Sequence, residues 1–148
     1  QLIYDIPAFK TFMAKVRALG LHEGAFILAG VGPLKSPAMA RYMKDSVPGL
    51  WVPDELIARM EAAGAPWADI PKDQLSKEDK KARADAWKQE GIAICIELIQ
   101  QIREIEGVAG VHIMAIEWEE AVRPIVEGAG LLPRPTVPAP SAQEAGHE

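Results

Sequence analysis

Apolar and polar positions change period several times along this chain, and each change marks a predicted element. Gln1 to Tyr4 is rich in β-formers. After Asp5, the residues Ile6, Phe9, Met13, Val16 and Leu19 or Leu21 recur near a 3.6-residue period. That spacing predicts a helix with one buried face, capped by Asp5, with Pro7 in its first turn and Gly20 as its stop. Ala25 to Val31 is an unbroken apolar run between Gly24 and Gly32, the pattern of a strand covered on both faces. A Gly-Pro turn leads on to Ser36, the expected cap of a helix with Pro37 first and Met39, Tyr42 and Met43 on one side.

Pro53 and Asp54 open a further helix over about residues 54–63, ended by Gly64, and residues 65–79 read as a loop. Lys80 to Ile105 is the longest helical pattern, with Gly91 as a possible bend and Gly107 as its end. Residues 109–116 give a third strand. Residues 117–128 give a helix with an acidic first turn and Pro124 as an expected kink. From Leu132 onward four prolines and no core pattern predict an extended or disordered tail, so the folded domain is expected over 1–132 and the tail over 133–148. Three strand-helix units with their loops on the same side predict an α/β fold with a parallel sheet and sites at one edge.

Composition removes several classes of function. A net charge of −5 argues against a phosphate-backbone binder, so no nucleic-acid partner is expected. No apolar run reaches the roughly 18 residues of a membrane span, and no secretory signal is visible. The single cysteine, Cys95, lies in an apolar run and reads as a small buried residue of a cytoplasmic protein. Because Gln1 already stands in a strand pattern, the chain is expected to be part of something longer.

Candidate chemistry is sparse. His22, His112 and His147 are dispersed without metal-ligand spacing, so no metal site is expected. No nucleophile elbow occurs. Gly30-Val-Gly32-Pro33 lacks the third glycine of a dinucleotide fingerprint. His112, inside an apolar strand, reads either as a hydrogen-bonded core histidine or, in a barrel, as an inward-facing site residue. Gln1 poses the same choice between a solvated chain end and an inward-facing amide. Glu117, Glu119 and Glu120 and the run Lys77–Lys81 read as solvated faces. The four tryptophans read as packing anchors, with Trp118 placed to reach a site.

The ordered set Gln-Leu-Ile-Tyr-Asp (1–5), Ala-Gly-Val-Gly-Pro-Leu-Lys-Ser (29–36), Val-Pro-Asp-Glu-Leu (52–56), Gly-Ile-Ala-Ile (91–94) and Gly-Val-Ala-Gly-Val-His-Ile-Met (107–114) resembles the C-terminal half of methylenetetrahydrofolate reductases. The resemblance covers about residues 1–132. It implies the last part of a (β/α)8 TIM barrel, with 1–5, 25–32 and 109–116 as strands six, seven and eight and extra helices after strand seven. It also implies FAD as cofactor, reduced nicotinamide (NADH or NADPH) or another electron donor, and a folate substrate. By this resemblance Gln1 would contact the pterin, with His112 beside it. Gly30, Pro33 and Leu34 would form the turn that approaches flavin or substrate. Met39 and Trp118 stand where better-known bacterial members carry a glutamine and an arginine that touch folate. The family's catalytic glutamate belongs to earlier strands, so no catalytic residue is expected in this chain. The expected partners are the remaining N-terminal barrel half or a complementary subunit, within an oligomer. The alternative is a non-catalytic half-barrel that supports a partner in methyl-transfer metabolism.

Overall fold

The computed structural model describes residues 1–134, so the expected tail lies outside the described residues except for its first two positions. Helix α1 (Ile6–Ala18) starts where the pattern places it. The Asp5 carboxylate accepts the Ala8 N–H at 2.9 Å, and Ile6, Phe9, Met13 and Val16 are buried. Gly20 takes a left-handed φ of 68° and ends the helix. A four-residue turn of helix, α2 (Leu21–Gly24), follows; it is too short to announce itself by periodicity.

Strand β1 (Ile27–Val31) lies between the chain start and β2 (Val108–Ile113). The two strands are parallel, with Ala29 opposite Val111, Gly30 opposite His112 and Val31 opposite Ile113. On the other side of β1, Leu2 makes a parallel bridge with Gly30, and the Ile3 N–H donates to the Gly30 carbonyl at 2.9 Å. The strand expected at 1–4 is therefore a single bridge, because Asp5 already begins α1. The third strand is shorter than 109–116: regular pairing stops at Ile113, with one more bond from the Met114 N–H to the Val31 carbonyl at 2.7 Å.

Ala29 and Val31 are buried on one face of the sheet, where Val111 and Ile113 pack against the same core. Leu28 on the opposite face is 61% exposed, so β1 is covered on one face and not on two.

The crossover from β1 to β2 runs through α3 (Pro37–Ser46), α4 (Asp54–Ala63) and α5 (Lys77–Arg103). Ser36 Oγ accepts the Met39 N–H at 3.2 Å, as expected of the cap. Pro37, Ala40 and Met43 form the buried stripe of α3, and Tyr42, about one residue's rotation away, is exposed. Helix α5 begins three residues before Lys80, because Ser76 Oγ accepts the Asp79 N–H at 3.0 Å. The loop is shortened accordingly and holds a 3-10 turn at Ala65–Trp67.

Helix α5 runs without interruption through Gly91, from Lys77 to Arg103. A Cβ at Gly91 would overlap the Leu34 carbonyl oxygen. The helix rests directly on the backbone of the Gly-Pro turn.

After β2 the expected helix over 117–128 is broken. Glu117 takes a φ of 52°, Glu119–Ala121 forms a 3-10 turn, and α6 (Val122–Gly128) follows. Pro124 is the third residue of α6, where a backbone N–H has no intrahelical acceptor, so it produces no kink.

The core is centred on α5. Ile94, Cys95, Leu98, Ile99 and Ile102 are all buried. Cys95 is fully enclosed, and burial pushes its thiol up to about 12, which leaves it protonated and inert. Arg59 clamps α4 to α5: its Nε donates to Glu90 at 2.9 Å, and its two terminal nitrogens donate to Glu97 at 2.5 and 3.0 Å. Hydrogen bonding from Arg59 holds the Glu97 carboxyl below its ordinary range. A depressed carboxylate stabilises the fold above its unfolded value, and that stability is lost as pH falls through the folded one. The urea midpoint is therefore expected to drop on acidification from about pH 7 to about pH 3, and Glu97→Gln should remove part of that drop. An unchanged pH dependence in the variant would contradict the clamp.

Candidate functional site

The C-terminal ends of the parallel strands gather three loops. Residues after β1 (Gly32–Ser36), residues after β2 (Met114–Trp118) and the chain start (Gln1–Tyr4) meet at one edge of the sheet. Tyr4 ties two of them together. Its ring is 3% exposed, and its hydroxyl donates to the Gly32 carbonyl at 3.1 Å and lies 3.7 Å from the Met43 sulphur. Burial, with a smaller contribution from Cys95, raises the phenol well above its ordinary value and keeps it a neutral donor. Lys35 ties the other pair: its Nζ donates to the Glu117 carbonyl at 3.1 Å and joins the loop after β1 to the loop after β2.

Of the residues singled out in the sequence, Gly30 and His112 fall in one row, and Gln1 stands one residue before it. Gly30 has Leu2 bridged on one side and His112 in register on the other, with Gln1 adjacent to the bridge. Gln1 and His112 are both exposed. Gln1 and Gly30 line a trough of about 510 Å³ that also takes in Leu28, Phe12 and Trp51. The space a Gly30 side chain would need is filled by the Gln1 carbonyl and the Met114 methyl, so glycine here lets the chain start lie against β1.

Pro33 and Leu34 part company. Pro33 lines a separate crevice of about 10 Å³, room for roughly one water. Leu34 is fully buried beneath α5, so its side chain faces the core.

That crevice is the meeting place of Met39, Met43, Met114 and Trp118, with Lys35 on its wall. Lys88 Nζ stands 5.7 Å from the centroid of the Trp118 ring. Periodicity singled out neither Lys35 nor Lys88. Lys35 sits in a quoted motif without a chemical signal of its own, and Lys88 is one of many charges on a long helix. Among the described residues, no group of three or more His, Cys, Asp or Glu side chains is placed to hold a metal ion, and no helix is long and apolar enough to cross a membrane.

The sequence model of the family described as methylenetetrahydrofolate reductase matches residues 1–130. The chain belongs to that family. A search of the curated proteins finds no match. Within a methylenetetrahydrofolate reductase framework, Met39 and Trp118, far apart in sequence, line one crevice at the strand ends together with Leu2, which bridges Gly30. Membership supports an oxidoreductase acting on folate; how this chain contributes is a question for its own residues.

Proposed function

We propose that this chain is the C-terminal part of a flavin-dependent methylenetetrahydrofolate reductase barrel and is inactive without the strands that close it. The assembled enzyme would reduce 5,10-methylenetetrahydrofolate to 5-methyltetrahydrofolate at the expense of reduced nicotinamide or another donor. The observation that carries this reading is the parallel arrangement of Leu2, β1 and β2, with their loops at one edge and one sheet face left open. Two parallel strands and a further parallel bridge, covered by helices on one face, are consistent with three successive units of a (β/α)8 barrel from which the rest has been removed. The two-stranded sheet cannot bury its inner face by itself.

FAD, when bound, supplies the relay of a hydride from the donor to the folate. The open face suits one edge of flat ring systems: Gln1 and the apolar Leu28 line its trough, and the exposed His112 stands in register with Gly30. Gln1 offers both a donor and an acceptor to a pterin edge, and His112 a second polar group across Gly30. The Tyr4–Gly32 hydrogen bond and the Lys35–Glu117 bond fix the loops that frame this edge. None of these groups is a carboxylic acid placed to protonate the substrate, so the proton donor must come from the complementary strands.

The test is product formation. The chain assembled with its complement should convert methylenetetrahydrofolate to the methyl form with oxidation of the donor, and the chain alone should form none. A folded assembly that oxidises the donor but yields no methylated folate would exclude this function.

A further inference from the structure

Among the described residues, Glu117 is the one non-glycine residue with a positive φ, 52°. A left-handed backbone is unfavourable for an ordinary L-residue and persists only where its surroundings hold it. The turn that contains it runs from Ala115 to Trp118 and is closed by the Trp118 N–H, which donates to the Ala115 carbonyl at 3.0 Å. Glu117 is the third residue of that turn, a place where glycine or asparagine supplies a positive φ with little strain. Glutamate does not. Nor does its side chain hold the turn, since the exposed Glu117 carboxylate takes part in none of the ion pairs among the described residues.

The hold comes from the loop after β1. Lys35 Nζ donates to the Glu117 carbonyl at 3.1 Å. Lys35 is anchored at its base, where its own N–H donates to the Met39 sulphur at 3.4 Å and Leu34 before it is packed beneath α5. Its half-buried stem therefore presents the ammonium from a fixed point. Downstream, the turn sets the course of the next residue. The Trp118 carbonyl accepts the Ala121 N–H at 3.1 Å, which opens the 3-10 turn, and the Trp118 side chain forms part of the crevice wall beside Met39 and Met114. A change of Glu117 to negative φ redirects the chain at Trp118 and takes its side chain from that wall.

We infer that Lys35 is a positioning residue: its ammonium on the Glu117 carbonyl holds the left-handed turn after β2 and so keeps Trp118 at the strand-end edge. Without that bond, the turn divides its population between this form and a relaxed one. In the relaxed form Glu117 has a negative φ and the Trp118 N–H is released from Ala115. The bond joins the loops after β1 and β2, so the conformation of the second depends on the first. The inference concerns the turn and not a ligand, and it stands or falls apart from the reductase reading.

The test follows amide hydrogen exchange at Trp118 by NMR in the assembled protein, this chain together with the strands that complete its sheet. Two reference amides report on the rest of the fold: Ala8, capped by Asp5, and Ile99 in the buried part of α5. Lys35→Met is expected to speed exchange at Trp118 about five- to tenfold and to change the references by less than about twofold. Lys35→Arg, which keeps a donor at the end of the side chain, should stay within about twofold of the unsubstituted protein. Glu117→Asn in the Lys35→Met background should restore slow exchange, because asparagine adopts the left-handed backbone readily. Unchanged exchange at Trp118 in Lys35→Met, or fast exchange that Glu117→Asn does not correct, overturns the inference. So does equal acceleration at Trp118, Ala8 and Ile99, which would make Lys35 a support of the whole fold and not of the turn.

Discussion

Replacing Gly91 with alanine is expected to destabilise the chain by about 2 kcal/mol or more, read as a lower urea midpoint at unchanged slope. The sign is the informative part. In an exposed helix interior the same change stabilises by about 1 kcal/mol, because alanine loses less backbone entropy than glycine. Here the added methyl would occupy the position of the Leu34 carbonyl oxygen, so either the helix or the Gly-Pro turn has to move. Because Pro33 and Lys35 flank Leu34, a shift of the turn also disturbs the strand-end crevice and the Lys35–Glu117 bond. Loss of stability is the expected outcome. A midpoint that rises would mean that α5 does not rest on the turn.

The second large effect concerns the open face. Alone, the chain is expected to retain no flavin and to transfer no hydride; supplied with complementary strands, it should gain both. Leu28 and Phe26 are 61% and 91% exposed, and Phe12 and Trp51 border the same trough or lie close to it. Isolated surface leucines are ordinary, but large apolar groups clustered around an unpaired sheet face mark a surface built to be covered. Burying that face is what would close the trough lined by Gln1, Gly30, Leu28, Phe12 and Trp51 into a pocket. Colour and turnover should therefore appear together on assembly.

Much of the architecture was legible because the signals were local. Asp5 and Ser36 announce their helices by side-chain caps, and both caps are made. The parallel order of the three strand segments follows from the strand-helix alternation and from Gly-Pro and glycine punctuation. What was not legible depends on contacts distant in sequence. A glycine inside a helix pattern signals a bend or a close approach equally well, and only the position of Leu34 decides for the second at Gly91. The start of α5 was obscured because Pro71 and the polar residues after it read as loop until the Ser76 cap is seen to close on Asp79. Glu117 carries no mark of its left-handed backbone, so the pattern starts the helix after β2 two residues before the 3-10 turn and five before α6.

The site was legible in the same partial way. Gly30 and His112 fall in one row because a parallel register aligns strand ends, and the bridge that extends the row comes from Leu2, one residue after Gln1. Leu34 belongs to the same turn as Pro33, yet its side chain points into the core, because adjacent residues of an extended turn face opposite sides. Met39 and Trp118 stand out in the sequence as two separate departures from a pattern. Their meeting in one crevice is a tertiary fact, as is the approach of Lys88 to the Trp118 ring.

The central claim is that this chain forms the last part of a flavin-binding reductase barrel. Its most direct test is the visible absorption spectrum after the purified chain, alone and assembled with the complementary strands, is passed through a desalting column with excess FAD. The account predicts no retained flavin for the chain alone and one FAD per assembled barrel. Stoichiometric FAD on the chain alone, or a folded assembly that remains colourless, would contradict it.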